Sequence, residues 1–277
     1  MLLPLTSLLK REYLRWVRAP TWIVAGLMTP VLYLLLFGQA FNLSKLVPGT
    51  PGAQAGLTVA LLGAPNYFSY FSVGMVGLVA VTSALFAGTG VIFDKQLGIL
   101  QRTIATPVRR STIFASSLIF RGLLVVLPIF IVMGLALVFA RIPGLVGLTV
   151  TQSVGAIGIL EVVAAVFILA IAFTSLFLAF GFLVARVESY FALVNLLNLP
   201  ILFTSNALYP NGTSPQWLQT ITEYNPVSLA VNVMRETFFG SQYYSHPAYV
   251  YLAGLLGWAL VLGALALLLG FRALRTK

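Results

Sequence analysis

Residues 154–185 read VGAIGILEVVAAVFILAIAFTSLFLAFGFLVA, and beyond Glu161 the stretch carries no charge for 24 residues. A helix crosses the hydrocarbon of a bilayer with about 20 apolar residues, whereas a transmembrane strand needs about 10 and alternates in polarity. This run is continuous and does not alternate. It predicts a membrane-spanning helix with length to spare for tilt. Lipid offers no hydrogen bonds to bare backbone, and a helix satisfies its own.

Working outward, the same signal recurs five times. A short link holding Arg186 and Glu188 leads to an apolar run over Tyr190–Tyr209. Residues 210–246 are polar, Tyr249–Phe271 is apolar again, and the chain closes on RALRTK. Upstream, Gly122–Ala140 (with Pro128 inside) ends in a turn of Arg141, Pro143 and Gly144. Tyr67–Phe93 opens on an aromatic belt of Tyr67, Phe68, Tyr70 and Phe71, a feature of membrane–water interfaces. Pro20–Phe41 is uncharged and contains Pro30; the loop KLVPGTPGAQAG follows at 45–56. Leu57–Leu62 is too short to cross and is expected to rest on the membrane surface or dip into it. In residues 1–18, Leu5, Leu8, Leu9, Tyr13, Trp16 and Val17 recur at helical spacing opposite Lys10, Arg11, Arg15 and Arg18, which predicts an amphipathic helix lying along the headgroups. Its order of charge and grease is the reverse of a signal peptide's. The expectation is an all-α polytopic membrane protein: six transmembrane helices and an interfacial helix, forming one transmembrane domain over residues 1–277.

Composition agrees. Hydrophobic residues make up 60% of the chain, charged residues 8%, and mean hydropathy is +1.00. Six crossings put both termini on one side. Thirteen of the 16 basic residues then fall on that side, and only Lys45, Arg141 and Arg235 on the other. This asymmetry predicts cytoplasmic termini in a cell membrane and accounts for the net charge of +10 without nucleic acid.

Several chemistries are missing. There is no cysteine, so disulfides and thiolate sites are excluded. There is no G-x-x-x-x-G-K-[ST] phosphate loop. His246 is the single histidine, in an outer loop, and the six acids are well separated, so no carboxylate pair or metal cluster is evident. No covalent chemistry by this chain alone, and no cofactor within it, is expected.

The cytoplasmic segment 94–110 is the sharpest feature. Leu97, Leu100 and Ile104 fall at i, i+3 and i+7, with Lys95, Gln101 and Arg102 elsewhere around the helix. Pro107 disfavours helical geometry at Thr106 and ends the helix before Arg109 and Arg110. A partner that moves such a segment, clamped between two spans, moves both spans. On the outer side, Ser214-Pro215 and Asn225-Pro226 each place a capping residue before a proline, predicting two short helices that lie re-entrantly against the outer leaflet within 210–246.

These two stretches carry a resemblance. DKQLGILQRTIATPVRRSTIFASSLI, from Asp94 to Ile119, resembles the cytoplasmic coupling segment of type-2 ABC transporter permeases in Gly98, Leu100, Thr106, Pro107 and Arg109, with Gln101 where that family usually has Glu. The stretch from Leu199 to Gly240 resembles the family's fifth span and outer hairpin. The resemblance implies a permease that dimerises, with itself or with a homologous permease. It implies docking of two ATP-binding cassette subunits, which hold ATP and magnesium, onto Asp94, Lys95, Leu97, Gly98, Leu100, Gln101, Arg102, Thr106, Pro107 and Arg109.

Polar residues inside spans turn toward neighbours or a cavity. Tyr33, Gln39, Thr82, Ser83, Asn195 and Asn198 either bond helix to helix or line a substrate path. Glu161 is expected at the outer interface as an anchor. Asn42 and Asn211 fit the glycosylation pattern. The leading expectation is an exporter subunit for a hydrophobic or amphipathic cargo such as a drug, antibiotic or lipid. A permease for lipid-linked polysaccharide shares the architecture. A self-contained secondary transporter or channel would show internal repeats or a series of intramembrane charges, and neither is evident; a non-transporting assembly factor leaves segment 94–110 unexplained.

Overall fold

The computed structural model describes residues 2–17, 21–40, 51–106 and 110–275. Among these residues there are helices and turns and no strand. The helices are α1 (Leu2–Val17), α2 (Thr21–Ala40), α3 (Pro51–Ala60), α4 (Tyr67–Gln96), α5 (Ile99–Ile104), α6 (Arg110–Phe139), α7 (Ala156–Leu183), α8 (Val187–Phe203), α9 (Gln216–Tyr224), α10 (Pro226–Phe239) and α11 (Ala248–Arg275). Four of them, α4, α6 from Thr112, α7, and α11 to Gly270, are long and apolar enough to cross a membrane. Met28–Ala40 of α2 and the whole of α8 are shorter apolar helices.

Helix α4 is the axis. It is buried without a break from Phe68 to Val81, and α2, α6, α7, α8 and α10 pack around it. Close approach is possible because side chains are missing where backbones meet. A Cβ at Gly181 of α7 would lie 2.6 Å from the Gly88 carbonyl, and one at Gly74 would lie 1.8 Å from the Ala207 carbonyl. Small residues serve helix packing in lipid in this way. α11 packs mainly on α7, α1 lies against α6, and α5 sits under the end of α4. One end of the bundle therefore holds α1, α5, the start of α6 and the α7–α8 elbow; the other holds α3, α9 and α10.

An extended strap over residues 145–155 ties the second end together. The Gln39 side chain donates to the Val146 carbonyl (2.7 Å) and accepts from the Val146 N–H (2.9 Å). The Leu148 N–H reaches the Ala136 carbonyl, the Thr149 N–H reaches Ser69 Oγ, and the Thr151 and Gln152 N–H groups share the Phe238 carbonyl.

Several boundaries differ from the sequence reading. α6 begins at Arg110, twelve residues before the expected Gly122. α8 stops at Phe203, before the expected Tyr209, where the Thr204 and Ser205 hydroxyls turn back to the Pro200 and Leu202 carbonyls. Asn225 caps α10 as expected: its Oδ1 accepts from the Val227 N–H at 2.8 Å, with Pro226 in the first turn. Ser214 does not cap α9, which starts at Gln216 with Pro215 before it; the Ser214 carbonyl instead accepts from Gln219 Nε2. Asn42 lies outside the described residues.

Candidate functional site

Segment 94–110 is not the single helix that its spacing predicts. Asp94, Lys95 and Gln96 are the last turn of α4. The chain then bends at Leu97 and Gly98, and Gly98 has φ +69°, a left-handed conformation that favours glycine. α5 is only six residues long. The bend separates the expected apolar stripe: Leu100 is 9% exposed and packs with Ile113, Phe114, Phe182 and the half-buried Ile104, whereas Leu97 is 66% exposed. Gln96, Gln101, Arg102 and Thr106 are exposed beside Leu97. Pro107 and Arg109 lie outside the described residues.

Behind this exposed rim lies a buried charge cluster. Arg121 on α6 is 6% exposed, and its Nη2 is 3.4 Å from Asp94 Oδ2 on α4 and 3.6 Å from Glu12 Oε2 on α1. Its Nη1 donates to the Ala87 carbonyl, in a notch left open by Gly90. Arg11 pairs with Glu12 at 2.8 Å and donates to Thr103 Oγ1 of α5 at 3.2 Å. Buried charges persist when paired and hydrogen-bonded. Here the pairing joins α1, α4, α5 and α6. Lys95 points another way, and its Nζ donates to the Phe182 and Val184 carbonyls at the end of α7, the latter at 2.9 Å. On α1, the side facing α6 carries Glu12, and Tyr13 is exposed.

The residues expected along a substrate path do not converge. Gln39 is occupied with the strap. Thr82 Oγ1 donates to the Leu78 carbonyl of its own helix, and Ser83 is half-buried. Tyr33 is exposed and meets Phe37 edge-on. Asn195 is exposed on α8, and one turn on, Asn198 has a buried Oδ1 without a hydrogen bond. Glu161 is half-buried near the start of α7, close enough to raise the Glu236 carboxyl on α10 further; burial raises that carboxyl most, and a hydrogen bond from Ala248 lowers it. His246 is exposed, and its N–H donates to the Tyr251 hydroxyl at 3.3 Å.

The other end holds a second buried arginine. Arg235 on α10 is 0% exposed. Nη1 donates to the Asn206 carbonyl (2.9 Å), and Nη2 donates to the carbonyls of Tyr70 (2.9 Å) and Ala207 (3.1 Å). The guanidinium carbon lies 3.5 Å above the Tyr70 ring, a cation–π contact, and the Tyr70 hydroxyl donates to the Asn206 carbonyl. Ser228 Oγ accepts the Asn206 N–H, and Asn225 Nδ2 reaches the Ile201 carbonyl. Irregular chain at 204–207 is thus satisfied by side chains.

Sequence reasoning missed Glu12, Arg121 and Arg235 as site residues, counting Arg121 and Arg235 only toward orientation. A usable signal for Arg121 was present: it lies eleven residues past the start of an unbroken helix, where a charge must find a partner.

Known proteins resemble this chain in sequence. The family model described as ABC-2 type transporter matches residues 4–239. The transport permease ycf38 of Porphyra purpurea is 29% identical over 83% of this chain and 72% of its own length. The daunorubicin resistance ABC transporter permease protein DrrB1 of Streptomyces coeruleorubidus is 26% identical over 80% of this chain and 70% of its own. The doxorubicin resistance ABC transporter permease protein DrrC of Mycobacterium tuberculosis is 24% identical over 95% and 86%.

Proposed function

The chain belongs to the ABC-2 type transporter family, and on that premise we propose that it is the membrane-embedded half of an ATP-driven exporter. In this reading ATP and magnesium are held by a separate ATP-binding subunit, present in two copies. This chain supplies the path, as a dimer with itself or with a homologous permease. Six helices cross the cell membrane. α2 has 20 residues and rises about 30 Å, and α8 has 17 and rises about 25 Å, so each fits the hydrocarbon thickness. Both termini then lie in the cytoplasm with α1 and α5, and α9 and α10 form the outer hairpin. Its re-entrance is supported by the capped start of α10: Val227 fills the Gly77 notch, ten residues inside α4, and Trp258 Nε1 on α11 donates to the Tyr224 carbonyl.

One observation carries the partner assignment. Leu97 stands 66% exposed at the bend, with Gln96, Gln101 and Arg102 also exposed, three residues on from Asp94 of a charge cluster that joins four helices. A subunit docked on that rim has a rigid connection into α1, α4 and α6. The cargo is hydrophobic or amphipathic. That is supported by the apolar spans and by relatives named for daunorubicin and doxorubicin resistance, with Asn195 and Asn198 offering amides on the part of α8 beyond Tyr190, which is otherwise apolar.

Purification from the native membrane tests the assignment. An ATP-binding subunit is expected to come down with this chain, and its ATPase rate to change on association. If the chain alone, in proteoliposomes, moves daunorubicin along an ion gradient, the assignment is wrong.

A further inference from the structure

We propose that Lys95 is a positioning residue that carries displacement of α5 into α8, by way of the α7–α8 elbow. The proposal rests on the transporter reading above and names a route within it.

Asp94 and Lys95 are neighbours on the last turn of α4, about 100° apart around the helix. Asp94 faces Arg121 and the α1–α6 side. Lys95 reaches another way, to the Phe182 and Val184 carbonyls. Those carbonyls belong to the end of α7, where the last C=O groups lack intrahelical partners and the helix dipole is negative. An ammonium is suited to both. The turn that bends into α5 therefore divides into two branches, one ionic and one through the end of α7.

The second branch leads to α8 because nothing between them can take up slack. Only Val184, Ala185 and Arg186 separate α7 from α8, and three residues span at most about 10 Å when fully extended. Further up, the Tyr190 hydroxyl of α8 donates to the Leu85 carbonyl of α4 at 2.7 Å. Tyr190 is fully buried in the space left by Gly88, where a Cβ would lie 2.0 Å from its hydroxyl. α8 packs chiefly on α4 and little on α7. It is therefore bound to α4 at two points, Lys95 through the elbow and Tyr190 directly, and it carries Asn195 and Asn198.

The absence of cysteine makes the test direct. Leu196→Cys, on an α8 position 70% exposed, accepts one environment-sensitive fluorophore. In the complex with its ATP-binding subunit, in lipid vesicles, ATP plus vanadate is expected to shift the label's emission. Adding Lys95→Gln is expected to cut that shift at least about fivefold while the ATP-binding subunit still co-purifies. Lys95→Arg, which keeps a charged donor for the two carbonyls, is expected to restore most of it. Tyr190→Phe removes one hydroxyl, is expected to reduce the shift by less, and decides the matter if Lys95→Gln fails to insert. A full shift in Lys95→Gln overturns the proposal, as does a full shift in Tyr190→Phe where Lys95→Gln fails to insert. A chain that binds no ATP-binding subunit in any form overturns the transporter reading, and the proposal with it.

Discussion

Arg121 and Arg235 are both buried, one at each end of the bundle, and they are accommodated by different chemistry. Arg121 meets two carboxylates from two other helices, Glu12 and Asp94, and one backbone carbonyl, that of Ala87. Arg235 meets three backbone carbonyls and a ring. A carboxylate partner is a side chain on a separate element, and it can re-pair when that element moves. A carbonyl partner is backbone, fixed by the fold around it. The comparison teaches that the α5 end is held by exchangeable contacts between helices, while the α10 end is held by a cation that completes irregular backbone. Charge alone does not distinguish the two; the partners do.

Four predictions break or sharpen that contrast. The largest effect is expected at Arg235. Arg235→Gln takes a bond to a charged donor from three carbonyls, of which that of Asn206 keeps the Tyr70 hydroxyl, and should lower stability by about 4 kcal/mol or more. Thermal unfolding in detergent measures this; Arg235→Lys should recover only part, since a point charge cannot match a planar fork. A fully stable Arg235→Gln would show that the carbonyls had found other partners.

Arg121→Gln comes next, at about 3 kcal/mol, because it leaves Glu12 and Asp94 buried without their common cation. Unlike the Arg235 case, this loss should be partly recovered by a second change, Asp94→Asn, and a double-mutant cycle reads the coupling. Strict additivity of the two changes would refute the exchangeable-contact picture.

Gly98→Ala is third, at about 1–2 kcal/mol. No atom lies within 4 Å of the added Cβ, so the cost is only that of a left-handed backbone in an alanine. Hydrogen exchange should rise locally over α5 and not over α10.

The smallest effect on stability is expected from Leu97→Asp, within about 0.5 kcal/mol, since the side chain is already in solvent. Its effect on recovery of the ATP-binding subunit should nonetheless be near complete. Unimpaired co-purification would remove Leu97 from the docking rim.

Much of this was legible in the sequence, for physical reasons that differ by residue. The long apolar runs are set by the solvent, so α4, α6, α7 and α11 announce themselves. Asn225-Pro226 is a local signal and its cap formed. Leu97 and Leu100 misled because helical spacing was read across Gly98, and one left-handed residue rotates everything after it. The partners that give Glu12, Arg121 and Arg235 their roles were illegible, because they lie 27 to 165 residues away in the chain, such as Asp94 and Tyr70. Gln39 was ambiguous for the same reason: an amide within a span looks alike whether it meets cargo or the backbone of Val146.

The contact of Gly88 with Gly181 has one more consequence. Backbone rests on backbone there, with the Tyr190 hydroxyl beside Gly88, and the point of contact serves as a fulcrum. From Gly88 to Gln96 is about 12 Å of helix, and from Gly88 to Tyr67 about 32 Å. A rod turning on that fulcrum trades force for travel: a push at the short arm is magnified about two and a half times at the long arm, beside Arg235 and the strap.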